Sequence, residues 1–401
     1  MMQALLAHPG TQHAPRLARE LDRHGLLSGY WTGLAFAGNS AGARFARLAR
    51  NWPGLRGLRT RIIPDLNPAR LHAIPGPELS ALWQLKRSGD SETVIHRRNR
   101  RFQEKIPEAA LRASDAIIGF DTSSWVLAER AARLGLPFWL DRTIAHPAAS
   151  APLLAELHRR FPAWSEPVAP RPAAVVAAEA EEHALAHRIV VGSGFARDTL
   201  VQQGIAAAKI TVNPYGVDWS RFAGTPRPPA AGRPLRFLFV GSLLGRKGVP
   251  YLLEAWRRLG PVSAELWLAG SGHVGKSLER ELPGLRLLGR VPHAEVPALF
   301  AAADVFVLPS LLEGFSLTVL EALASGLPVI ATPNTGATQA LRDPVLGRLV
   351  AAGSVDELEA ALRHYLATPP DHAVIRRQAS PLAEVFSWQA YGDRWARLLS
   401  A

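Results

Sequence analysis

Short, continuously apolar segments alternate with Ala- and Leu-rich stretches along most of the chain, and this alternation constrains the fold most strongly. The segments of strand length are DAIIGF (115–120), LPFWLD (136–141), HRIVVGS (187–193), KITVNP (209–214), LRFLFVG (235–241), AELWLAG (264–270), DVFVLPS (304–310) and LPVIATP (327–333). Strands that are apolar on both faces and separated by helices are typical of parallel sheets covered on both sides. We therefore predict an α/β protein built from Rossmann-like, doubly wound domains.

The length of the chain and one Pro/Gly-rich stretch predict where the domains divide. A chain of 401 residues is longer than one hydrophobic core usually covers. The stretch 214–234 is rich in Pro and Gly, has no periodicity and directly precedes a new strand. We predict a first domain over 1–215, a linker over 216–234 and a second domain over 235–385. A second Pro/Ala-rich stretch, 161–174, is interpreted as a loop inside the first domain.

The start of the chain, the lack of a long apolar segment and the absence of cysteine indicate a cytoplasmic protein. The apolar start of the chain has no basic residues before it and is broken at His8-Pro9. Nowhere do about 18 apolar residues run together, as a membrane-spanning helix requires. The absence of cysteine excludes disulfides and thiolate metal sites, and it fits a reducing compartment. We expect a location in the bacterial cytoplasm, free or peripheral at the inner face of the plasma membrane.

Positive charge is concentrated in the first domain. The chain has a net charge of +12, and residues 40–112 alone hold 15 Lys and Arg against 6 Asp and Glu. Within this region, 43–61 interleaves arginines with Phe, Leu and Trp, and 96–101 is the basic run HRRNRR. Such a surface can bind an anionic membrane or a phosphate-bearing substrate, or it can simply be a set of solvated, arginine-rich helix faces. Nucleic acid is not expected as a partner, because no nucleic-acid-binding motif accompanies the charge.

The segment that follows the strand at 304–308 has the pattern of a ligand-binding turn and helix. Open parallel sheets bind ligands at the carboxyl ends of their strands, and residues 311–315 form the turn at this end. Ser316 is predicted to cap a helix over about 317–325, which stops at Gly326.

The start of this helix is predicted to bind an anion such as a phosphate. The amides near Phe315, Ser316 and Leu317 would point outward unpaired, and the helix dipole would add to their attraction for negative charge. Glu321, about one turn further on, could accept hydrogen bonds from a ribose diol, and Glu313 would face whatever lies beyond the phosphates. The alternative is that Glu313 is a solvated loop residue and Glu321 a charge on the helix surface.

The sequence PSLLEGFSLTVLEALASGLPVIA (309–331) resembles the signature of the GT-B retaining glycosyltransferases of family 4, PSxxEGFGLxxLEAxAxGxPVIA. It departs from this pattern mainly at Ser316. Further segments similar to that family are 189–222, 239–256, 291–310 and 386–399. The resemblance is nearly continuous from about residue 187 to the end and loose before that point.

This resemblance implies a fold, a reaction and a set of partners. Two Rossmann-like domains would face each other across a cleft, and the final helix, 386–401, would cross back to the first domain. The first domain would bind a carbohydrate or lipid-linked acceptor. The implied enzyme is a retaining, hexosyltransferase-type glycosyltransferase that uses a nucleotide diphosphate sugar as donor, needs no cofactor, and takes part in bacterial cell-surface polysaccharide or glycolipid synthesis. No metal is expected, because the chain has no DxD pair and no HxxxH spacing at a helical site.

The resemblance also implies roles for individual residues. Glu313 would lie beside the donor sugar, Glu321 would bind the donor ribose, and Lys247 would pair with the pyrophosphate, where a cation offsets the charge on the leaving group. Arg246 is a candidate second cation. Family members often have an arginine where this chain has Ser242, so the usual two-cation arrangement is in question here.

Other expected donor contacts come from several loops. By the same resemblance they are Gly10, Gly272, Val291, Gly314, Phe315, Ser316 and Leu317. A polar residue of the first domain often meets the donor sugar in this family. Spacing leaves Asp141, Arg142 and His146 open for this role, with a purely structural role as the alternative for His146.

The segment GSGHVGKS (270–277) offers a competing interpretation. It satisfies the phosphate-loop pattern GxxxxGK[ST] and follows a strand. However, Pro283 shortens the helix after it, and no later strand ends in the Asp that would hold magnesium. Lys276 is therefore expected to be incidental, while Gly270 can line the site. The alternative functions are a different sugar-nucleotide enzyme of the same fold, such as an epimerase, and a phosphate-loop nucleotide-binding protein.

Overall fold

The chain folds around two parallel sheets in a computed structural model that describes residues 2–49, 52, 56–87, 90–164, 171–228, 232–272 and 274–400. In chain order the strands are β1 (Ala4–His8), β2 (Leu27–Thr32), β3 (Phe36–Ala37), β4 (Ile62–Ile63), β5 (Leu71–Ala73), β6 (Ala116–Phe120), β7 (Phe138–Arg142), β8 (Arg188–Val191), β9 (Ile210–Val212), β10 (Leu235–Val240), β11 (Ala264–Ala269), β12 (Leu285–Gly289), β13 (Val305–Leu308), β14 (Val329–Ala331) and β15 (Gly347–Leu349).

Both sheets have the strand order of a doubly wound domain. The first runs β5-β2-β1-β6-β7-β8-β9 and the second β12-β11-β10-β13-β14-β15, and the neighbouring strands in both pair in parallel. A small separate pair is formed by β3 and β4. The order reverses between β1 and β6 and again between β10 and β13, and ligands bind at such switch points. The predicted α/β fold class is confirmed.

Helices surround the sheets, so that β1 and β13 are buried along their whole length. In chain order the helices are α1 (Ala14–Arg23), α2 (Ala41–Leu48), α3 (Pro75–Leu85), α4 (Ser91–Glu104), α5 (Glu108–Arg112), α6 (Trp125–Arg133), α7 (Ala151–Arg160), α8 (Ala173–Leu185), α9 (Gly194–Gln202), α10 (Trp219–Ala223), α11 (Val249–Leu259), α12 (Leu278–Glu281), α13 (Val296–Ala302), α14 (Leu317–Ala324), α15 (Val355–Ala367), α16 (His372–Ala379), α17 (Leu382–Val385) and α18 (Trp388–Ser400). Within the described residues, no helix is both long and apolar enough to cross a membrane.

The strands agree with the sequence pattern at every predicted position. Each of the eight apolar segments contains one strand of the two sheets. The Pro/Ala-rich stretch 161–174 is only partly described: Pro162–Trp164 forms a 3₁₀ turn, 165–170 lie outside the described residues, and α8 already begins at Ala173. The predicted loop over 161–174 therefore ends before Ala173, where α8 begins.

Two neighbouring stretches of the chain connect the two domains. The linker and the segment before α18 meet in a parallel bridge between Val217 and Ser387. Helix α18 then packs on α1 of the first domain, where the Asp393 carboxylate accepts hydrogen bonds from Arg23 at 2.6 Å and contacts His24 at 2.8 Å. The chain therefore passes between the domains twice, through the linker and through the segment before α18.

The linker is fastened to the second domain by a buried carboxylate. Asp304, directly before β13, accepts two hydrogen bonds from the Arg233 guanidinium at 2.6 and 2.8 Å and lies 3.3 Å from that of Arg227. Burial alone would raise the pKa of Asp304, but hydrogen bonds from Arg233, His372 and the Arg236 amide hold it well below its usual range. The carboxylate is therefore ionised in the folded protein and fixes the end of the linker.

Candidate active site

The switch point of the second sheet brings two loops together. The loop after β10 contains Gly248, whose φ is +75°, and a Cβ there would lie 2.0 Å from the carbonyl oxygen of Pro309 at the end of β13. Only glycine allows this approach. The Leu311 amide also donates a hydrogen bond of 2.8 Å to the carbonyl of Arg246. The loop after β10 is thus held against the loop after β13.

An ion pair joins these loops at the mouth of the cleft. The Lys247 ammonium contacts Oε1 of Glu313, and the two side chains are only 16% and 13% exposed. Arg246 lies farther away, with a guanidinium nitrogen 3.9 Å from the same carboxylate and 37% of its side chain exposed. The backbone of Glu313 is fixed by a hydrogen bond from its amide to the Asn334 carbonyl at 3.1 Å. The structure therefore brings the two predicted catalytic residues into direct contact.

The start of α14 differs in detail from the prediction. Ser316 is the N-cap residue, but its side chain does not cap the helix and instead contacts the Thr318 hydroxyl at 2.8 Å. Its amide donates to the Thr335 carbonyl at 2.9 Å, so the prediction of a free Ser316 amide is wrong. The first-turn amides of Leu317 and Thr318 have no acceptor within the helix and remain suited to an anion. The helix ends before Gly326, whose φ of +76° agrees with the predicted stop.

The loop that carries Glu313 is inserted between two loops of the first domain. The carbonyl of Gly314 accepts a hydrogen bond of 2.6 Å from the Ser193 hydroxyl. A Cβ on Gly314 would lie 1.9 Å from the carbonyl oxygen of Thr143 and 2.7 Å from Cα of Ile144. The Phe315 side chain, next in the chain, is buried. The first domain thus fixes the backbone on which Glu313 stands.

A cavity of about 270 Å³ lies between the domains beside Glu321. Its walls are formed by Gln12, His13, Arg16, Gly216, Val217, Asp218, Arg221, Phe222, His293, Leu317, Glu321 and Trp388. Burial raises the pKa of the Glu321 carboxyl to about 7, although the nearby Arg221 acts to lower it. The cavity therefore combines a carboxyl group that titrates near neutral pH with the first turn of α14.

The remaining predicted residues of the second domain lie in loops after β10, β11 and β12. Ser242 is exposed, and Leu243 forms a bridge with Gly272, where a Cβ would lie 2.2 Å from the Leu243 carbonyl oxygen. Val291 follows β12 and is half-buried against the core. Ser242 and Gly272 therefore belong to one pair of adjacent loops.

The phosphate-loop pattern at 270–277 lacks the helix that such a loop requires. Helix α12 after it has four residues and no side-chain cap. Lys276 is exposed, and His273 lies outside the described residues. Gly270 packs against the loop after β10, where a Cβ would lie 1.7 Å from the Gly241 carbonyl oxygen. The geometry supports a glycine-rich turn rather than a phosphate loop.

Two of the three first-domain candidates are engaged by buried partners. Asp141 is fully buried, and one carboxylate oxygen lies 2.9 Å from the His13 ring and accepts a hydrogen bond of 2.7 Å from the Tyr391 hydroxyl. Arg142 is 1% exposed and pairs with Glu179 at 2.5 Å. Neither side chain is free to reach into the cleft, because each is buried and held by an internal partner.

His146 and Gly10 have mainly local roles. The Nδ1 atom of His146 accepts a hydrogen bond of 3.3 Å from the Ala148 amide, and burial lowers the pKa of the ring. Gly10 follows β1, and a Cβ there would lie 3.0 Å from the His8 ring. The wall of the cavity beside Glu321 is formed by Arg16 and its neighbours rather than by Gly10 itself.

Sequence reasoning missed several residues that border the cleft. They are Arg16, Ser193, Arg221, His293 and Trp388. These residues come from the first domain, the linker, the loop after β12 and the terminal helix. No motif or spacing links them, and they meet only because the two domains fold against each other.

The chain is similar in sequence to known glycosyltransferases. Residues 234–368 match the family model described as glycosyl transferases group 1. The MMP alpha-(1->4)-mannosyltransferase of Mycolicibacterium hassiacum is 33% identical over 230 residues, covering 50% of this chain and 51% of that protein. The amylovoran biosynthesis glycosyltransferase AmsK of Erwinia amylovora is 30% identical over 177 residues, covering 41% and 43%. The chain thus spans about half the length of these curated relatives.

Solved structures extend the similarity to the whole chain. The crystal structure of HepE from Anabaena in complex with UDP superimposes with a TM-score of 0.63 at 16% identity, and it covers all of both chains. At this identity the likeness shows the fold alone. The chain therefore has the GT-B fold, and its residues 234–368 match the family model of the group 1 glycosyl transferases.

Proposed function

We propose that the protein is a retaining glycosyltransferase that moves a sugar from a nucleotide diphosphate sugar to an acceptor hydroxyl without a metal ion. One observation carries this proposal: the Lys247–Glu313 ion pair stands at the switch point of a domain that matches a glycosyltransferase family model. A cation at this position is suited to a phosphate group that leaves with negative charge.

In the proposed reaction, the bond between the anomeric carbon and the diphosphate oxygen breaks. The nucleoside diphosphate leaves with the bonding electrons, and Lys247 together with the first-turn amides of α14 stabilises the added charge. The acceptor oxygen bonds to the anomeric carbon from the same face and releases its proton to the departing phosphate oxygen. Glu313 holds Lys247 in position and accepts hydrogen bonds from the donor sugar, and Glu321 accepts hydrogen bonds from the ribose.

The class of donor and the setting are supported by similar proteins. The HepE structure was solved with UDP, so a protein of this fold holds a nucleoside diphosphate. AmsK is named for the biosynthesis of a polysaccharide. We therefore extend the proposal to bacterial surface polysaccharide or glycolipid synthesis, with a carbohydrate or lipid-linked acceptor and no further cofactor.

Slow hydrolysis of a panel of UDP-, GDP- and ADP-sugars tests the reaction. With EDTA present, Lys247→Ala and Glu313→Ala should each lower the rate by about 10² to 10³, the usual cost of removing one preorganised charge-stabilising group. Lys276→Ala is the matched control, since it removes an exposed lysine of the same domain, and it should leave the rate unchanged. NMR of the product anomer tests retention.

Two results would contradict the proposal. The first is wild-type turnover by both site variants. The second is ATP cleavage without turnover of any sugar nucleotide, which would favour an NTPase that acts through the 270–277 turn. An inverted product anomer would remove the retaining mechanism alone.

The basic region of the first domain supports peripheral binding to an anionic membrane. Large apolar side chains are exposed on α2, α3, α4 and the loop after α2, namely Phe45, Leu48, Trp52, Leu79, Leu82, Trp83 and Ile95. The 3₁₀ turn after α2 is tied to α3 by an Arg61–Glu78 ion pair, so these elements adjoin. Exposed aromatic residues among arginines fit a negatively charged lipid interface, and Arg87 stacks 3.8 Å from the Trp83 ring centroid.

Co-sedimentation with liposomes tests this part of the proposal. Binding should require anionic lipid, fall with added salt, and drop in a Phe45→Ser/Trp83→Ser variant. Val385→Ser is the control, because Val385 is 47% exposed but lies in the second domain. Binding that does not depend on anionic lipid would remove the membrane from the proposal while leaving the transfer reaction untouched.

A further inference from the structure

The site around Glu313 holds too little positive charge for a diphosphate. A nucleotide diphosphate sugar carries two negative charges on its diphosphate. Lys247 is already neutralised by Glu313, and Arg246 is more exposed and 3.9 Å from the same carboxylate. Ser242, in the same loop, is exposed and carries no charge. If the proposed function is right, another cation must face the ligand.

The cavity beside Glu321 contains such a cation on its opposite wall. Arg16, in the first turn of α1, lines the same cavity as Leu317 and Glu321. Its guanidinium carbon lies 5.8 Å from the centroid of the Trp388 ring, which packs beneath it. Among the described residues, the Arg16 guanidinium forms no hydrogen bond and no ion pair within 4 Å, although the charge of Asp218 on the same cavity acts on it. The guanidinium is therefore available to a ligand.

The other basic groups of this cavity are engaged. The His13 ring lies 2.9 Å from the buried Asp141 carboxylate. Arg221 contacts both the ring nitrogen of His293, at 2.9 Å, and the His293 carbonyl. These contacts fix both side chains within the protein. Arg16 differs from them because only its stacking on an aromatic ring holds it.

We infer that Arg16 is the second cation of the donor site and that it binds the diphosphate from the wall of the cavity formed by the first domain. The diphosphate would lie between Arg16 on the first domain and the Leu317 amide on the second. A guanidinium can donate two parallel hydrogen bonds to two phosphate oxygens, which suits this role. The inference rests on the proposed function, because it assigns a further residue to the same site. It also means that the diphosphate itself draws the two domains together.

Calorimetric titration with UDP, GDP and ADP, and with the corresponding nucleosides, tests the inference. Arg16→Ala should weaken binding of the preferred diphosphate about ten- to a hundredfold, the range expected for lost hydrogen bonds to a charged group, and leave nucleoside binding unchanged. Arg19→Ala is the matched control one turn along α1, where the arginine lies 3.9 Å from Asp65 outside the cavity. Adding Ser242→Arg to the Arg16→Ala variant should restore much of the lost affinity. Unchanged thermal melting would establish that the variants fold.

The outcomes separate the inference from the proposed function. If Arg16→Ala binds the diphosphate as the wild type does while Lys247→Ala loses it, the inference is overturned and the proposed function stands. An equal loss of diphosphate and nucleoside affinity would also overturn the inference, because Arg16 would then not act on the phosphates. A wild-type protein that binds none of the three diphosphates would overturn both.

Discussion

Replacing Gly314 by alanine should damage activity through the backbone that carries Glu313. The added Cβ would lie 1.9 Å from the Thr143 carbonyl oxygen and 2.7 Å from Cα of Ile144. Ordinary contacts of a Cβ begin at 3.4 Å, so one of the two loops must move by about 1.5 Å. Both partners are backbone atoms, which cannot turn aside as a flexible side chain can. We expect an overpacking cost of about 1–3 kcal/mol in the free energy of unfolding.

The same displacement should move Glu313, the residue directly before Gly314, relative to the donor. A misplacement of about 1 Å at a reacting centre can cost roughly 10²-fold in rate. The assay is the initial rate of sugar-nucleotide hydrolysis, with the melting temperature measured alongside. Gly194→Ala is the control, because its added Cβ meets nothing within 4 Å. Gly314→Ala with wild-type turnover would refute the argument that the first domain positions Glu313.

Two further predictions concern titratable groups. Because burial raises the pKa of Glu321 to about 7 and ribose hydroxyls favour the ionised carboxylate, affinity for the best nucleotide sugar should rise about tenfold from pH 6 to pH 8. Glu321→Gln should abolish this slope, and a slope that survives in the variant would contradict the assignment. Asp304→Ala leaves arginines buried without their partner, so urea titration should show a loss of about 3–5 kcal/mol in the free energy of unfolding. The control is Asp356→Ala, which removes an exposed ion pair and should lower the free energy of unfolding by less than about 1 kcal/mol. Because the pKa of Asp304 is depressed, the stabilisation that it gives is present at neutral pH and is lost as the pH falls through the acid range. Equal losses in Asp304→Ala and Asp356→Ala would contradict this account.

In the second sheet, the sequence predicted the interior strands and missed the two edge strands; in the first sheet, the eight predicted segments include the edge strand β9 but not the interior strands β1 and β2. β13 is buried along its whole length, so its residues are all apolar and the pattern is visible without further information. β12 and β15 are the edge strands of the second sheet, and they leave Arg286 and Arg348 exposed. Such strands mix polar and apolar residues, and a search for continuously apolar segments does not detect them.

The sequence predicted those site residues that lie in loops directly after a recognisable strand. Glu313 and Lys247 stand on loops that the strand pattern already placed at one edge of the second sheet. The prediction of a free Ser316 amide was wrong, because this amide donates to the carbonyl of Thr335, which reaches it from the segment after β14. Arg16 lies about 300 residues from the helix it faces across the cavity, and no local signal could relate the two.

A crystal structure with a bound nucleotide sugar tests the central claim most directly. We predict that the diphosphate lies within about 2.7–3.2 Å of the Lys247 ammonium and the Leu317 amide, with the Glu321 carboxylate on the ribose hydroxyls. A nucleotide bound at the turn of residues 270–277, with Glu313 and Glu321 turned toward solvent, would contradict the account.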